Sequence, residues 1–260
     1  MNDFAPFQRV IELISIIMNT AQDHYNQQLA AVYSWMSGNP ETAIERNHAL
    51  FCQLALDSAP RGLAIDLGAG SGFQSIPLAK LGFSVVAIDF CEALLSELRD
   101  RAKHLSIRTI HEDLLNFSQH IQEQAQLIVC MGDTLTHLES LSAVDSLLLD
   151  IERWLIENGM LILTFRDYVS AELHGTQRFI PVQSDEFTIL TCFLEYQENS
   201  VAVHDLLYQK QGDRWSFSAS SYQKLRLNKN WLCDRLSEIG LQVLQNEMIN
   251  GMVCITAKKL

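Results

Sequence analysis

The segment Ala64-Ile65-Asp66-Leu67-Gly68-Ala69-Gly70-Ser71-Gly72-Phe73 constrains this chain more than any other. A short apolar run ends in an acid, three closely spaced glycines follow, and Gln74 to Leu81 then carries Ile76, Leu78, Ala79 and Leu81 at helical spacing. Strand, glycine turn and helix in that order open a nucleotide-binding βαβ unit. The glycines let the chain reverse sharply and leave backbone bare for a ligand that a Cβ would block. Two features argue against a dinucleotide. The third glycine of a G-x-G-x-x-G fingerprint falls on Phe73, and Asp66 would repel a pyrophosphate while favouring an ammonium group.

Further acids follow at the ends of the next β-type runs. Ser84 to Ile88 ends at Asp89, about twenty residues after the glycines, where this architecture places a ribose. A carboxylate there accepts from both ribose hydroxyls, and it also suits the N-cap of the helix beginning near Cys91. Ile107 to Ile110 leads into His111-Glu112-Asp113-Leu114. With Asp66 ahead of the glycines and these acids behind them, the chain resembles the class I methyltransferases that use S-adenosylmethionine (SAM). The resemblance is firm over about residues 60 to 165 and looser at both ends. It implies a cofactor site made of Asp66, Gly68, Ala69 and Gly70 at the turn, Asp89 on the ribose and Phe90 against the adenine. Asp113, with Glu112 as its rival, would take the adenine amino group while Leu114 lies along the ring.

The run Gln126 to Met131 reads as the central fourth strand and leads into Gly132-Asp133-Thr134-Leu135-Thr136-His137-Leu138. This loop is similar to the one after strand four in glycine N-methyltransferases, Leu-Gly-Asn-Ser-Phe-Ala-His-Leu. Met131, Gly132, Thr134 and His137 are expected beside the cofactor. Asp133 stands where that family has Asn, and the acid argues for a cationic or amine acceptor. The fifth strand, Met160 to Phe165, delivers Arg166, whose counterpart grips a carboxylate in that family; an internal ion pair with Asp133 or Asp167 is the competing role. His137 or Asp133 would accept a proton or only position the acceptor. His137, Asp133 and Arg166 are therefore the candidate catalytic residues.

Around this centre, helix-forming sequence spans residues 8–36 and Glu41 to Leu56, with Ser37-Gly38-Asn39-Pro40 between them and Pro60 as a stop. Such N-terminal additions fold over the cofactor in the family, which makes Tyr33, Trp35 and Met36 lid candidates and Arg46 a candidate for the methionine carboxylate. The alternative is a packed helix pair with a solvated arginine. Glu139 to Glu157 is amphipathic and Asn158-Gly159 is its expected stop. From Gly175 to Leu227 four strand-like runs, with no helix between them, predict an antiparallel extension. His204, Tyr208 and Tyr222 fall there, as sheet-face residues or as cavity lining. A helix from Lys229 and two last strands close the chain.

The expected fold is α/β: a doubly wound, seven-stranded Rossmann-like methyltransferase sheet with an N-terminal helical lid and an antiparallel β extension. The divisions are 1–58 for the lid, 59–174 and 228–260 for the core, and 175–227 for the extension over the substrate site. With 31 acidic against 19 basic residues the formal charge is −12, which disfavours nucleic acid and anionic membrane as partners. Six isolated cysteines (52, 91, 130, 192, 233 and 254) carry no zinc spacing and suit reduced thiols in the cytoplasm. The apolar stretch Val10 to Met18 is too short to span a bilayer and is expected as an amphipathic helix. The expected activity is methylation of a small molecule, with an amino-acid-like amine as one option and a homo-oligomer possible. O-methylation of a hydrophobic metabolite, SAM binding without turnover and an NAD-type oxidoreductase are the alternatives.

Overall fold

The computed structural model describes residues 19–56, 58, 61–170 and 172–260. The helix expected over residues 10–18 and the stop at Pro60 lie outside the described residues. Seven strands form the main sheet: β1 (Leu63–Leu67), β2 (Ser84–Asp89), β3 (Ile107–His111), β4 (Ala125–Cys130), β5 (Leu155–Phe165), β10 (Leu241–Ile249) and β11 (Met252–Lys259). Their order is β10-β11-β5-β4-β1-β2-β3. The first five strands pair in parallel, and β11 enters antiparallel between β5 and β10. β1 and β4 are buried on both faces, as parallel strands must be when helices cover both sides, which is why their sequences are nearly continuous apolar runs.

One face packs against α4 (Leu141–Trp154) and α5 (Lys229–Glu238), through Val144, Leu147, Leu148 and Ile151 of the first and Leu232 and Leu236 of the second. Each such side chain contributes about 1.5–3 kcal/mol on burial. The other face takes α1 (Pro40–Gln53), α2 (Ser75–Lys80) and α3 (Glu92–Arg101), through Ile44, Phe51, Ile76, Leu78, Leu95 and Leu98. Local chemistry sets the helix starts. Asn39, Ser140 and Asn228 each accept a backbone N–H as N-cap, and Pro40 follows its cap at the position where a missing N–H costs nothing.

The second sheet is antiparallel, in the order β6-β7-β8-β9, from Phe179–Ser184, Thr188–Tyr196, Ser200–Gln211 and Arg214–Leu225. The helical segment over residues 21–36 is sewn to it. Asn19 N–H donates to Ser221 O at 2.9 Å, Gln28 Nε2 to Asp205 O at 3.2 Å and Trp35 Nε1 to Asp185 Oδ2 at 2.6 Å. The His24 ring, fully buried, joins Ser220 Oγ at 2.7 Å to Asp205 Oδ2 at 3.0 Å.

Two sequence expectations need revision. The first segment is not one uniform helix: it winds as α (Ala21–His24), π (Tyr25–Leu29), 3-10 (Ala30–Val32) and α (Tyr33–Met36). The changes of winding send Leu29 and Val32 into the extension beside Leu190 and Leu207, while Tyr25 and Tyr33 stand 6.0 Å apart, ring to ring, on the cavity side. The helix expected to run to Glu157 ends at Trp154, because Leu155 is extended, fully buried and paired with Ala125. Asn158 (φ +62°) and Gly159 lie instead in an irregularity of β5, where pairing jumps from Ala125–Leu155 to Leu127–Met160. All six cysteines are free thiols. Among the described residues no helix is long and apolar enough to cross a membrane.

Candidate active site

The parallel strands all point their C-terminal ends at one crevice, the place where doubly wound sheets gather ligands. A cavity of about 730 Å³ lies there, within the range of small-molecule sites. Its floor is Gly68, Gly70, Asp89, Phe90, Asp113 and Leu114. Thr134 and His137 border it after β4, Tyr25 and Tyr33 come from the 21–36 segment, and Lys224 from β9.

Gly68, Gly70 and Gly72 have φ of +75°, +52° and +88°, so the turn needs residues free of Cβ strain. They are not equivalent. A Cβ on Gly68 would come within 2.2 Å of Thr134 Cγ2 and one on Gly72 within 2.2 Å of Leu98 Cδ1, whereas at Gly70 the nearest atom is on the Tyr33 ring at 3.5 Å. Gly72 is thus required by packing on α3. Gly68 and Gly70 face the cavity.

Asp66 is buried beneath the turn and accepts from Ser75 Oγ at 2.5 Å through Oδ2. Its Oδ1 is buried without a partner. Burial pushes its carboxyl up to about 7, the Ser75 hydrogen bond opposing only in part. Asp89 closes β2 and accepts from Gly70 N–H and Cys91 N–H, each at 2.8 Å. It therefore does fix the helix start, and since each oxygen spends one lone pair this way, each keeps capacity for a ligand hydroxyl. Burial raises this carboxyl too, against those two hydrogen bonds. Of the rival acids, Asp113 lines the cavity and uses Oδ1 to accept from Leu115 N–H at 2.8 Å. Glu112 is occupied elsewhere, with Asp113 N–H, Asn116 and the His120 ring. The residues present fit SAM: bare glycine backbone and carboxylates with spare acceptor capacity line the cavity, and an unpartnered Asp66 oxygen lies beneath the turn.

Past β4, Gly132 (φ +73°) donates its N–H to Thr164 Oγ1 at 2.7 Å, and Thr134 Oγ1 donates to the carbonyl of buried Met131 at 3.0 Å. Asp133 is engaged through both oxygens. Oδ1 accepts from Arg166 N–H at 2.8 Å, and Oδ2 is met by Arg166 Nη1 at 2.7 Å, Tyr168 OH at 3.1 Å and Lys224 Nζ at 2.5 Å. Although burial raises its carboxyl, the charges of Lys224 and Arg166 outweigh that and hold it well below the usual carboxylate range. Each of the two residues falls to one of its expected alternatives. Asp133, ionised and neutralised, has no basicity to take a proton and no spare charge to draw a cationic acceptor. Arg166 makes the internal ion pair that was its competing role, through Nη1, with its side chain 56% exposed and outside the cavity lining.

His137 lies between the Tyr25 and Tyr222 rings at 5.6 and 5.4 Å, and its Nδ1 is buried without a partner. Burial, then the charge of Lys224, lowers its imidazole to about 3, so the ring is neutral and has little basicity near neutral pH. Arg46 is exposed on α1, whose Ala43, Ile44, Leu50 and Phe51 face turns inward, and does not reach the cavity wall. Ala69 is buried in the turn. Trp35 and Met36 pack toward the extension rather than the cavity. Tyr222 stacks between His24 and His137, while Tyr208 sits exposed against Phe217 and His204 is buried between Ser221 and Glu195. Sequence reasoning missed Tyr25 and Lys224. The only sequence signal for Lys224 is its place in the alternation Ser220, Tyr222, Lys224, which puts a lysine on the buried face of β9.

The fold is that of the class I SAM-dependent methyltransferases. Comparison with known proteins agrees: residues 64–159 match the family model described as "Methyltransferase domain". The chain is 34% identical over 106 residues to a glycine/sarcosine N-methyltransferase of Aphanothece halophytica, a match covering 40% of each chain. Among solved structures it resembles a SAM-dependent methyltransferase from Clostridium acetobutylicum (TM-score 0.70, 13% identity, 98% of this chain and 99% of that one). It also resembles SAM-bound CalS10, an amino pentose methyltransferase from Micromonospora echinaspora (TM-score 0.73, 13% identity, 90% and 97% covered). Residues 64–159 match a methyltransferase domain, and the chain has the fold of SAM-dependent methyltransferases almost from end to end.

Proposed function

We propose that this protein transfers a methyl group from SAM to the amine nitrogen of a small molecule. The observation that carries the reading is one cavity whose floor is the glycine turn with Asp89 and Asp113 and whose wall includes His137, with Nδ1 buried and unpartnered. Bound SAM supplies an activated methyl group on a sulfonium. The chain's own residues do the rest. Asp66 and the turn hold the ammonium end, Asp89 takes the ribose hydroxyls, and Asp113 with Phe90 and Leu114 holds the base. Tyr25 and Tyr33 close the cavity against water.

An amine acceptor needs its lone pair free and aimed. His137, neutral, accepts or donates one hydrogen bond through Nδ1 and so orients the nitrogen without taking its proton. The nearby charges of Lys224 and Arg166 disfavour a bound ammonium and so favour the neutral, nucleophilic amine. Alignment in a dry site supplies on the order of 7–11 kcal/mol of such a reaction's barrier. The glycine/sarcosine N-methyltransferase similarity supports nitrogen as the acceptor atom. The test is transfer of labelled methyl from SAM to panels of small amines, carboxylates and phenols. Turnover is expected with amines; turnover with phenols alone would refute the assignment to nitrogen.

A further inference from the structure

The first half of β9 carries a pattern that its surroundings do not use. Trp215, Phe217 and Ala219 alternate with Ser216 and Ser218, the sequence of a half-buried strand whose apolar row is packed. Pairing with β8 does the opposite. It sets the serines on the side of Leu207, which packs on the 21–36 segment, and the apolar row on the outer side with Tyr208. Residues 214–219 are all exposed, Trp215 and Phe217 to 47% and 51%. The exposed row runs on across the sheet through Tyr208, 4.8 Å ring to ring from Phe217, to Ile189.

This stretch is also the edge of its sheet. Ser221 O accepts from Asn19 N–H and so points away from β8; backbone alternation in an unbroken register turns the N–H and C=O groups of Ala219, Phe217 and Trp215 outward as well. No backbone of the described residues bonds to those three. Edge strands are ordinarily guarded by proline, charge or a bulge. β6, the opposite edge, has Pro181 and a shift of register after it, and β10 has Glu247 and a shift at Val243–Gln245. From Trp215 to Gln223, β9 has no proline, no charge and no shift.

We propose that β9 pairs edge to edge with β9 of a second copy of this chain, about a two-fold axis through Phe217 and normal to the sheet. Opposed residues of an antiparallel pair share a face, and such an axis keeps both outer faces on one side, so apolar row meets apolar row. Phe217 lies opposite the partner's Phe217 and Trp215 opposite the partner's Ala219, large against small, each pair exchanging both N–H···O bonds. Asn19 on Ser221 bounds the stretch at one end and the Gly212-Asp213 turn at the other. A lipid surface would take the rings but leave the edge backbone unpaired, and the formal charge of −12 opposes an anionic one. A strand of another protein would need the same alternation, which a second copy carries by construction. The contact belongs to the small class, below about 1,200 Å² in total, so dissociation constants on the order of 10 µM are expected.

Sedimentation equilibrium of the whole chain from about 1 to 200 µM tests this. A monomer–dimer equilibrium is expected, weakened on the order of 10- to 100-fold in Phe217→Lys, which sets two like charges opposite each other. That variant is expected to keep its circular dichroism and to bind S-adenosylhomocysteine (SAH) as the wild type does, because Phe217 lies outside the cavity lining. The register is read by mixing Ser216→Cys protein with Ser218→Cys protein under oxidation. These positions face one another across the axis as a non-hydrogen-bonded pair, about 4.5 Å between Cα atoms, so a disulfide-linked dimer is expected from the mixture and from neither protein alone. A wild-type chain that stays monomeric throughout, including one that binds neutral lipid vesicles or an extended peptide instead, overturns the proposal. So does a dimer that ignores Phe217→Lys. Should that variant misfold, the cross-link decides, and its absence from the mixture overturns the pairing.

Discussion

Burial moves the carboxyl of Asp66 up to about 7 and the imidazole of His137 down to about 3, and the two act on stability with opposite signs. Asp66 has a raised folded value, so between about pH 4 and 7 the native state holds a proton that the unfolded chain has lost, and stability falls as pH rises. For His137 the folded value is depressed. The unfolded chain holds the extra proton between about pH 3 and 6.5, so stability rises with pH there. Each slope is at most about 1.4 kcal/mol per pH unit, and from about pH 4 to 6.5 they offset one another. Urea denaturation of Asp66→Asn is expected to reveal stability rising with pH across that window, and of His137→Gln to reveal stability falling. Variants with the wild-type pH dependence would contradict both. The same chemistry predicts that SAM binding near pH 7 releases a proton from Asp66, read as buffer-dependent heats in calorimetry and lost in Asp66→Asn. Asp66 and Asp89 were legible from spacing alone, because each sits a fixed step from the glycines or from a strand end. Lys224 was not: its partner Asp133 is 91 residues away, and only the pairing of the extension with the β4 loop brings them together.

The glycine turn and the segment over residues 21–36 carry the predictions that belong to elements. Gly72→Ala forces a Cβ into Leu98 at positive φ, and strain of about 1–3 kcal/mol should lower the melting temperature by several degrees. Gly70→Ala meets only ordinary contact with Tyr33, so its stability cost is the roughly 1–2 kcal/mol of a left-handed alanine without a clash, while the new methyl occupies the cavity wall. Thermal denaturation and SAH titration are expected to separate them: loss of stability at Gly72, loss of affinity at Gly70. The roof depends on buried polar contacts of His24, so Ser220→Ala with Asp205→Asn should speed hydrogen exchange over residues 21–36 and spare β1 to β4. Unchanged exchange would show that apolar packing alone holds the segment. Strands and helices of the core were readable from period and caps. The π and 3-10 winding of this segment was not, since it is set by the two surfaces it must meet at once, the extension and the cavity.

At the scale of the molecule, the parallel pairs β1–β2, β2–β3 and β4–β5 are each joined by a helix, and right-handed crossovers leave few alternatives for them. That the antiparallel sheet roofs the crevice was expected from the family resemblance alone, because that contact joins residues far apart in sequence and local patterns do not encode it. The central claim is that the cavity between that roof and the glycine turn holds SAM, with Asp89 as a principal contact. Calorimetry of the whole chain with SAH tests it most directly, alongside the Asp89→Asn variant and NADH as a second ligand. The account predicts one-to-one binding at or below tens of micromolar, weakened on the order of tenfold or more in the variant, and no heat from NADH. SAH binding that ignores the Asp89 substitution, or NADH binding in its place, would contradict it.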